Sequence, residues 1–250
     1  MPEFLGGPTL LWGGKMVEKR RRTQRRKPRK TKPRTSRVKK IKDEKVTDKQ
    51  TDNLLVPLED YLKAGIHIGS QFKSGHMKPY IYKTRQDGLH ILDVKTIDER
   101  IKIVADFLSK YDPDKILVVA SRVYARKPAK KFAELIGAKA VVKRFIPGTL
   151  TNPNNPNFVE VDVVFVGDPA IDKQALVEAR KVMIPVVAIC DTNNNLKDVD
   201  LIIPANNKGK KSLALLYWIL AREILLRRGV IKKKSDFKVP LEEFEMVSQK

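Results

Sequence analysis

Residues 185–229 constrain the fold of this chain more than any other stretch. The segments 185–190 and 200–203 are apolar at almost every position, and a loop rich in Asn, Asp or Gly follows each of them. A strand that is apolar on both sides belongs in the middle of a parallel sheet with both faces covered. A long apolar helix is then predicted at 210–228, where arginines and the following Gly229 suit a helix C-terminus. The polar loops should therefore meet at the carboxyl edge of the sheet, where open α/β sheets usually bind ligands.

Strands and helices also alternate along the chain before this stretch. Helices are predicted at 54–64, 96–111, 125–136 and 172–182, strands at 88–94, 115–120, 138–142 and 162–166, and an irregular basic loop at 71–85. The apolar residues expected on the buried face of the 96–111 helix are Ile97, Ile101, Val104, Ala105 and Leu108. Alternation of this kind indicates parallel strands joined by right-handed crossovers. We therefore predict an α/β fold, with a doubly wound, mainly parallel sheet and helices on both faces.

Positive charge is concentrated at the start of the chain. The net charge is +22, and the first 50 residues hold 18 Lys and Arg against 5 Asp and Glu. Since this segment has almost no large apolar side chains beyond residue 17, it cannot bury enough surface to offset its ordering entropy. We predict a disordered basic extension over 1–50, an α/β domain over 51–231 and a C-terminal tail over 232–250.

Such a charge distribution indicates a partner with a phosphate backbone. A dense basic segment beside a basic domain is typical of nucleic-acid binding. An anionic membrane surface is the competing partner, but the basic segment lacks interleaved apolar residues that would insert.

The first 15 residues raise a separate hypothesis. The codons that can encode residues 12–15 form a purine-rich run before Met16, which resembles a ribosome-binding site read through as protein. We expect Met16 to be the native start. An N-terminal peptide of the natural protein beginning at Met16 or Val17 would support this, and peptides covering Phe4 to Trp12 would contradict it.

Disulfide and metal sites find little support in the sequence. The single cysteine, Cys190, excludes an intramolecular disulfide and a cysteine-cluster metal site, and it ends an apolar strand as a small core residue would. His67, His76 and His90 lack the spacing of metal ligands, and the first and last of them alternate with apolar neighbours as structural residues do. No apolar run approaches the ~20 residues that span a bilayer. We predict no metal and no cofactor.

An enzyme remains the alternative class. Residues 204–212 come near a phosphate-binding P-loop, but proline replaces the first glycine and the final serine comes one position late. Asp168 and Asp191 each follow a strand and could form a carboxylate pair or hold Mg²⁺, although such aspartates more often cap helices or shape turns. The alternative prediction is a nucleotide-binding α/β enzyme that uses Asp191 and residues 208–212. ATP hydrolysis or tight ATP binding would favour it.

Polar and basic side chains near the ends of predicted elements, together with the extension, are the candidates for RNA contact. They are Arg20, Arg21, Arg22, Arg25 and Arg26 in the extension; Lys73, His76, Lys78, Lys83 and Arg85 in the 71–85 loop; Arg122, Arg126, Lys127 and Arg144 after strands; and Asn206, Asn207, Lys208, Lys210 and Lys211 before the last helix. Tyr80 and Tyr82 lie between cations, a pattern that favours looped RNA, unless they pack on the core beside ordinary solvated lysines. Lysines at a helix N-terminus oppose the helix dipole unless an anion is present.

Several segments of the chain resemble the ribosomal protein S2 family of the small subunit. In family order, they are residues 62–69, 144–152, 164–169, 189–193, 203–209 and 218–225. The likeness is to the archaeal and eukaryotic branch, related to the laminin-receptor precursor, because the short 111–115 connection leaves no room for the helical hairpin that bacterial members insert. Eukaryotic members carry a long acidic C-terminal extension, whereas this chain has the short acidic patch 241–245.

This resemblance implies a flavodoxin-like domain bound to small-subunit rRNA at the junction of head and body, with neighbouring ribosomal proteins as partners. It implies a structural constituent of the cytoplasmic ribosome, with no enzymatic activity, cofactor, small-molecule substrate or membrane partner. The basic residues 17–50 lie outside the family pattern, so contact of this segment with rRNA or a neighbouring protein is predicted from charge alone. An adhesion module, suggested only by the eukaryotic relatives, is a third and weaker hypothesis.

Overall fold

Residues 54–246 are described by a computed structural model, in which helices and strands alternate along the chain. The elements are α1 (Leu58–Ala64), β1 (Ile81–Thr84), β2 (His90–Leu92), α2 (Val94–Ser109), β3 (Ile116–Val119), α3 (Val123–Ile136), β4 (Lys139–Val141), β5 (Val163–Val166), α4 (Lys173–Lys181), β6 (Val186–Cys190), β7 (Leu201–Pro204) and α5 (Lys210–Arg227). A 3-10 helix at Gly75–Tyr80 precedes β1. The basic extension lies outside the described residues.

The central sheet has five parallel strands in the order β4-β3-β5-β6-β7. Every residue of β3, β5 and β6 is buried, as expected for strands covered on both faces. The crossover through α3 steps from β3 outward to β4, and the crossover through α4 steps from β5 in the opposite direction to β6. Crossovers between parallel strands of one sheet follow a right-handed rule, and by that rule opposite directions place α3 and α4 on opposite faces. The doubly wound α/β prediction is confirmed.

The strand predicted at 88–94 does not belong to the central sheet. The sequence pattern places residues 88–94 in the parallel sheet, but β2 pairs antiparallel with β1 in a separate two-stranded sheet. The turn between them is closed by hydrogen bonds from Gly88 N to Arg85 O (3.0 Å) and from Arg85 N to Leu89 O (2.8 Å). This tight local pairing removes β2 from the crossover pattern. The irregular loop predicted at 71–85 is also wrong, because it contains a 3-10 helix and β1.

The buried face of α2 agrees with the sequence pattern. All five apolar residues predicted to face the core are completely buried. The helix begins two residues earlier than expected, because Asp93 is the N-cap and its carboxylate accepts hydrogen bonds from the backbone N–H groups of Lys95 and Thr96. Among the described residues, no helix is both long and apolar enough to cross a membrane.

Helix α5 lies at the centre of the helical layer formed with α2 and α3. Both ends of the described chain pack on it. Arg222 donates a hydrogen bond to the carbonyl of Leu55 at 2.9 Å, and the Trp218 indole N–H donates to the carbonyl of Val239 at 2.8 Å. Phe244, well beyond the helix, is completely buried in the core.

Candidate nucleic-acid interface

The C-terminal edge of the sheet collects the polar side chains that the sequence pattern predicts there. Asp168 follows β5, Asp191 follows β6, and residues 206–209 follow β7. Arg122 reaches the same edge from the loop after β3. Both aspartates are almost completely buried, so their partners decide what chemistry they can perform.

Asp168 is fully engaged within the protein. Its Oδ2 accepts hydrogen bonds from the guanidinium of Arg122, with Nε at 2.9 Å and the second nitrogen closer. Its Oδ1 accepts from the backbone N–H of Ala170 at 2.9 Å and from Nδ2 of Asn194 at 3.1 Å. A carboxylate with this many donors is neutralised by the protein and has little capacity left for a metal or substrate.

Asp191 is neutralised in the same way. Lys208 Nζ lies 2.7 Å from Asp191 Oδ2, and the same amine donates to Asn193 at 3.1 Å. Asp191 Oδ1 accepts from the backbone N–H of Thr192 at 2.6 Å. The two aspartates therefore neutralise separate cations, and the described residues contain no group of three or more His, Cys, Asp or Glu placed to hold a metal ion.

Asn207 does not reach the surface. Its side chain is completely buried and donates hydrogen bonds to the carbonyl of Ile189 at 3.2 Å and to Oδ1 of Asn194 at 3.1 Å. This corrects its assignment as an RNA contact, because the residue instead joins the β6 and β7 loops. Lys208, also assigned to RNA, is half-exposed and bound to Asp191.

The turn that precedes α5 is closed by hydrogen bonds to Asn206. Asn206 Oδ1 accepts hydrogen bonds from the backbone N–H groups of Lys208 (2.9 Å) and Gly209 (3.0 Å), which are amides that a phosphate-binding loop would offer to its ligand. Ser212 Oγ donates to the Asn206 carbonyl at 2.7 Å. Lys210 is half-buried and Lys211 is exposed, and neither makes an ion pair within the described part of the chain.

The loop that leads to β1 is fixed to this edge through Thr192. The Thr192 hydroxyl accepts from the backbone N–H of Ser70 at 2.9 Å and donates to the carbonyl of Phe72 at 3.0 Å, and the Thr192 carbonyl accepts from Ser74 N at 2.7 Å. The approach is so close that a Cβ on Gly69 would lie 2.4 Å from the Thr192 methyl group. A glycine is therefore required at position 69.

The hairpin surface next to this loop carries exposed cations and exposed rings. We define it as Lys73, His76, Lys78, Lys83 and Arg85 together with Phe72 and Tyr82, all of which are exposed. Phe72 is 76% exposed and Tyr82 is 71% exposed, with Lys83 Nζ 6.0 Å from the centre of the Tyr82 ring. Tyr80 is half-buried under the guanidinium of Arg100, 5.6 Å from the ring centre, so only one of the two predicted tyrosines is presented to solvent.

The RNA-contact candidates after β3 and β4 differ in whether they bind other groups of the protein. Arg126 and Lys127 lie in the first turns of α3, which begins two residues earlier than predicted. Arg126 Nε donates to the carbonyl of Ser121 at 3.1 Å, and Lys127 Nζ donates to the carbonyl of Glu245 at 2.6 Å. Arg144 is exposed and has no polar partner among the described residues. The five arginines predicted at 20–26 lie outside the described residues.

Comparison with known proteins identifies the family. The family model for ribosomal protein S2 matches residues 61–157 and 159–226. The small ribosomal subunit protein uS2 of Saccharolobus solfataricus is 55% identical over 193 residues, which cover 77% of this chain and 84% of that protein. The uS2 proteins of Picrophilus torridus and Thermoplasma acidophilum are each 52% identical, over 78% of this chain and 98% of their own length. The chain belongs to the ribosomal protein S2 family. These relatives are archaeal, as the resemblance predicted, and the family is one of structural proteins and not of enzymes.

Sequence reasoning missed several buried polar residues of this S2-family domain. Thr192 and Asn194 were noted only as loop residues, although both are buried and connect neighbouring loops. Glu178, on α4, is buried and accepts hydrogen bonds from the backbone N–H groups of Gly148 (2.7 Å) and Leu150 (3.0 Å). A glutamate on a predicted amphipathic helix gives no sign of this role, because its partners lie in a distant loop.

His67, His90 and Cys190 are buried or half-buried, as predicted for structural residues. His90 is buried and its Nδ1 lies 2.8 Å from the Thr84 hydroxyl. Burial lowers the pKa of His67, and desolvation of Cys190 raises the pKa of its thiol far above the usual range. Cys190 therefore provides no thiolate nucleophile at neutral pH.

Proposed function

We propose that this chain is a structural constituent of the small ribosomal subunit that binds small-subunit rRNA at the junction of head and body. The observation that carries the proposal is the family match over residues 61–226, because relatives covering most of this chain are named small ribosomal subunit proteins. Its role is that of a structural component of the subunit and not that of a catalyst. The chain works in the cytoplasm as part of the ribosome, with rRNA and neighbouring ribosomal proteins as its partners.

The hairpin surface supports RNA binding by its chemistry. Its lysines and arginine can neutralise phosphates, and its exposed rings can stack on unpaired bases. Arg144, Lys210 and Lys211 add cations toward the same edge of the sheet. The basic residues 17–50 contribute through charge, and we propose that they contact rRNA or a neighbouring protein.

The geometry disfavours a nucleotide-hydrolysing enzyme. Asp168 is held by Arg122, and Asp191 is held by Lys208. The first amides before α5 are already bonded to Asn206. A triphosphate would have to displace each of these internal partners before it could be bound.

Sedimentation of cell extract through a sucrose gradient tests the proposal directly. We expect the chain, followed by immunoblot, to migrate with small subunits in moderate salt and to be released progressively in high salt, because phosphate contacts weaken as salt rises. A position among free proteins at the top of the moderate-salt gradient would contradict the proposal.

A further inference from the structure

Tyr217 carries a hydroxyl group that has no partner in the interior of the domain. The residue lies on α5 and is completely buried, and its Oη makes no hydrogen bond with residues 54–246. Its ring packs against Phe132 and Phe165, with ring centres 5.5 and 5.7 Å away, so the hydroxyl group is held in the interior. A buried hydroxyl group without a partner is unfavourable, and its presence needs an explanation.

Asp172 carries a second atom of this kind. The residue is 2% exposed and lies directly before α4. Its Oδ2 accepts a long hydrogen bond from the backbone N–H of Ser121 at 3.5 Å, whereas its Oδ1 has no partner in the described part of the chain and almost no accessible surface. Oδ1 therefore faces the interior. The Tyr217 hydroxyl group can donate a hydrogen and a carboxylate oxygen accepts one, so the two groups are complementary.

The two groups lie at the end of β3 and reach it from opposite faces of the sheet. The carboxylate of Asp172 contacts Ser121, and a Cβ on Gly167 would lie 3.0 Å from Tyr217 Oη and 3.5 Å from the methyl group of Ala120. Helix α5 belongs to the layer of α2 and α3, whereas the right-handed rule places α4 on the other face. The crossovers leave β3 and β5 in opposite directions, which opens a crevice between these strand ends.

The electrostatics agree with this proximity. Burial raises the pKa of Tyr217, and the negative charge of Asp172 raises it further, as expected for neighbouring groups. Burial also raises the pKa of the Asp172 carboxyl. Each group is therefore held in its less favourable surroundings by the packing around it, and a shared polar partner would stabilise both.

Gly167 leaves space for such a partner beside the hydroxyl group. Its φ is not in the positive range that favours glycine, so the missing side chain is what matters at this position. The position of a Cβ there is also 3.5 Å from the carbonyl oxygen of Val119. This oxygen accepts a hydrogen bond from Gly167 N at 2.9 Å and keeps a second lone pair. The space is thus lined by one hydroxyl donor and by acceptors.

We propose that one internal water molecule bridges Tyr217 and Asp172 in this crevice. The Tyr217 hydroxyl group donates to the water oxygen, and the water donates one hydrogen to Asp172 Oδ1 and the other to the carbonyl of Val119. A buried water typically makes about three hydrogen bonds, which this arrangement supplies.

The size and burial of the site identify water as its ligand. Oη and Oδ1 each have almost no accessible surface, so a ligand that extends to the surface cannot contact both. Neither atom is within hydrogen-bond distance of a partner among residues 54–246, and water is the smallest group that can join them. This inference goes beyond the proposed function and does not depend on it. It assigns solvent, held from within, to the position where doubly wound sheets usually bind ligands.

A crystal structure of the full chain, at a resolution that shows ordered waters, is the first measurement. We expect an isolated density peak within hydrogen-bond distance of both Tyr217 Oη and Asp172 Oδ1. A direct hydrogen bond between the two side chains, or no density between them, overturns the inference.

The second measurement is ¹⁷O relaxation dispersion of water, whose amplitude reports the number of long-lived internal waters. We expect this number to fall by about one in Tyr217→Phe, which removes the donor, and in Gly167→Ala, whose methyl group fills the space. Tyr61→Phe is the matched control for the first variant, because the buried Tyr61 hydroxyl group donates directly to Asp98 at 2.8 Å. Gly75→Ala is the control for the second, since a Cβ there meets no atom within 4 Å.

Both controls should keep the wild-type amplitude. An unchanged amplitude in Tyr217→Phe and Gly167→Ala overturns the inference, as does a fall in either control as large as that in its matched variant. The amide spectrum of each variant checks that the domain remains folded.

Discussion

The C-terminal edge of the sheet and the hairpin surface are joined through Thr192, yet their charged side chains are arranged in opposite ways. At the edge, Asp168 and Asp191 are buried and each is bound by a cation of the same chain. On the hairpin surface, lysines and rings extend into solvent. Charged side chains therefore hold the structure together at the edge of the sheet, whereas on the hairpin surface they are available to a binding partner.

Desolvation explains the difference. A charge taken out of water must be paired within the protein, and once it is paired it holds loops together and is no longer available to a partner. A charge left in water costs little and can bind a phosphate by releasing counterions. Burial, more than residue type, separates the structural charges of this domain from those proposed to bind RNA.

Removal of Asp168 should have the largest effect on stability. Asp168→Ala leaves Arg122 and Asn194 without their acceptor, and we expect the free energy of unfolding to fall by about 2–4 kcal/mol. Urea unfolding followed by circular dichroism measures it. The control Asp87→Ala, which removes an exposed partner of Arg85, should change this quantity by less than about 0.5 kcal/mol. Equal effects of the two variants would remove the distinction between the two regions.

Gly69→Ala should break the junction between the two regions. The added Cβ would collide with the Thr192 methyl group and with the carbonyl of His90, at 2.4 and 2.8 Å. We expect a loss of about 1–3 kcal/mol in the free energy of unfolding, measured in the same way. At Gly75 a Cβ meets no atom within 4 Å, so Gly75→Ala is the control and should be close to neutral. A neutral Gly69→Ala would show that the loop can move away from the edge.

Glu178→Gln should lower the free energy of unfolding by an amount that depends on pH. Burial acts to raise the pKa of Glu178, but hydrogen bonds from Gln174 and from the 148–151 loop outweigh it and hold this pKa below its ordinary value of 4.5. A carboxylate with a lowered folded-state pKa contributes stability above its unfolded-state pKa and loses it as the pH falls through the folded-state value. At pH 7 we expect Glu178→Gln to lower the free energy of unfolding by about 1 kcal/mol, and the difference from wild type to shrink below pH 4.5.

Unfolding at pH 7 and at pH 3 checks this prediction. The exposed Glu99→Gln serves as the control and should show no such pH dependence. A difference between Glu178→Gln and wild type that is constant across this range would mean that the charge of Glu178 is not what stabilises the loop.

The hairpin lysines should have the smallest effect on stability and a measurable effect on RNA. Lys78→Ala with Lys83→Ala should leave the free energy of unfolding within about 0.5 kcal/mol of wild type. The slope of log affinity for small-subunit rRNA against log salt should become shallower by about 0.7–0.9 for each phosphate that the variant no longer neutralises. The matched control, Lys110→Ala with Lys181→Ala, removes the same charge at the opposite edge of the sheet. Identical slopes for both double variants would show that charge alone, without position, governs binding.

The fold was largely predictable because its signals are local. Continuous apolar runs identified β3, β5 and β6, and the apolar periodicity of α2 identified its buried face. The strand β2 was assigned to the wrong sheet because an apolar segment does not encode its pairing partner, and the nearby β1 was available through a tight turn.

The candidate site was predictable only in outline. The sequence placed Asp168 and Asp191 at one edge, but it could not show that Arg122 and Lys208 neutralise them, because these pairs join residues far apart in the chain. The sequence places Asn207 among the polar residues before the last helix, but it could not show that two internal acceptors bind the side chain in the interior. The exposed cations remain candidates for RNA contact.

The position of α5 also has a consequence for synthesis of the chain. The carbonyl of Leu55 is bound by Arg222, and the carbonyl of Val239 is bound by Trp218, so both ends of the described chain depend on the last helix. During translation, α2 and α3 are synthesised well before α5. Their apolar faces can be covered only after residues 210–227 have left the exit tunnel. Burial of Phe244 is completed later still. The nascent domain should therefore become protease-resistant in one late step, after residues 210–227 have emerged.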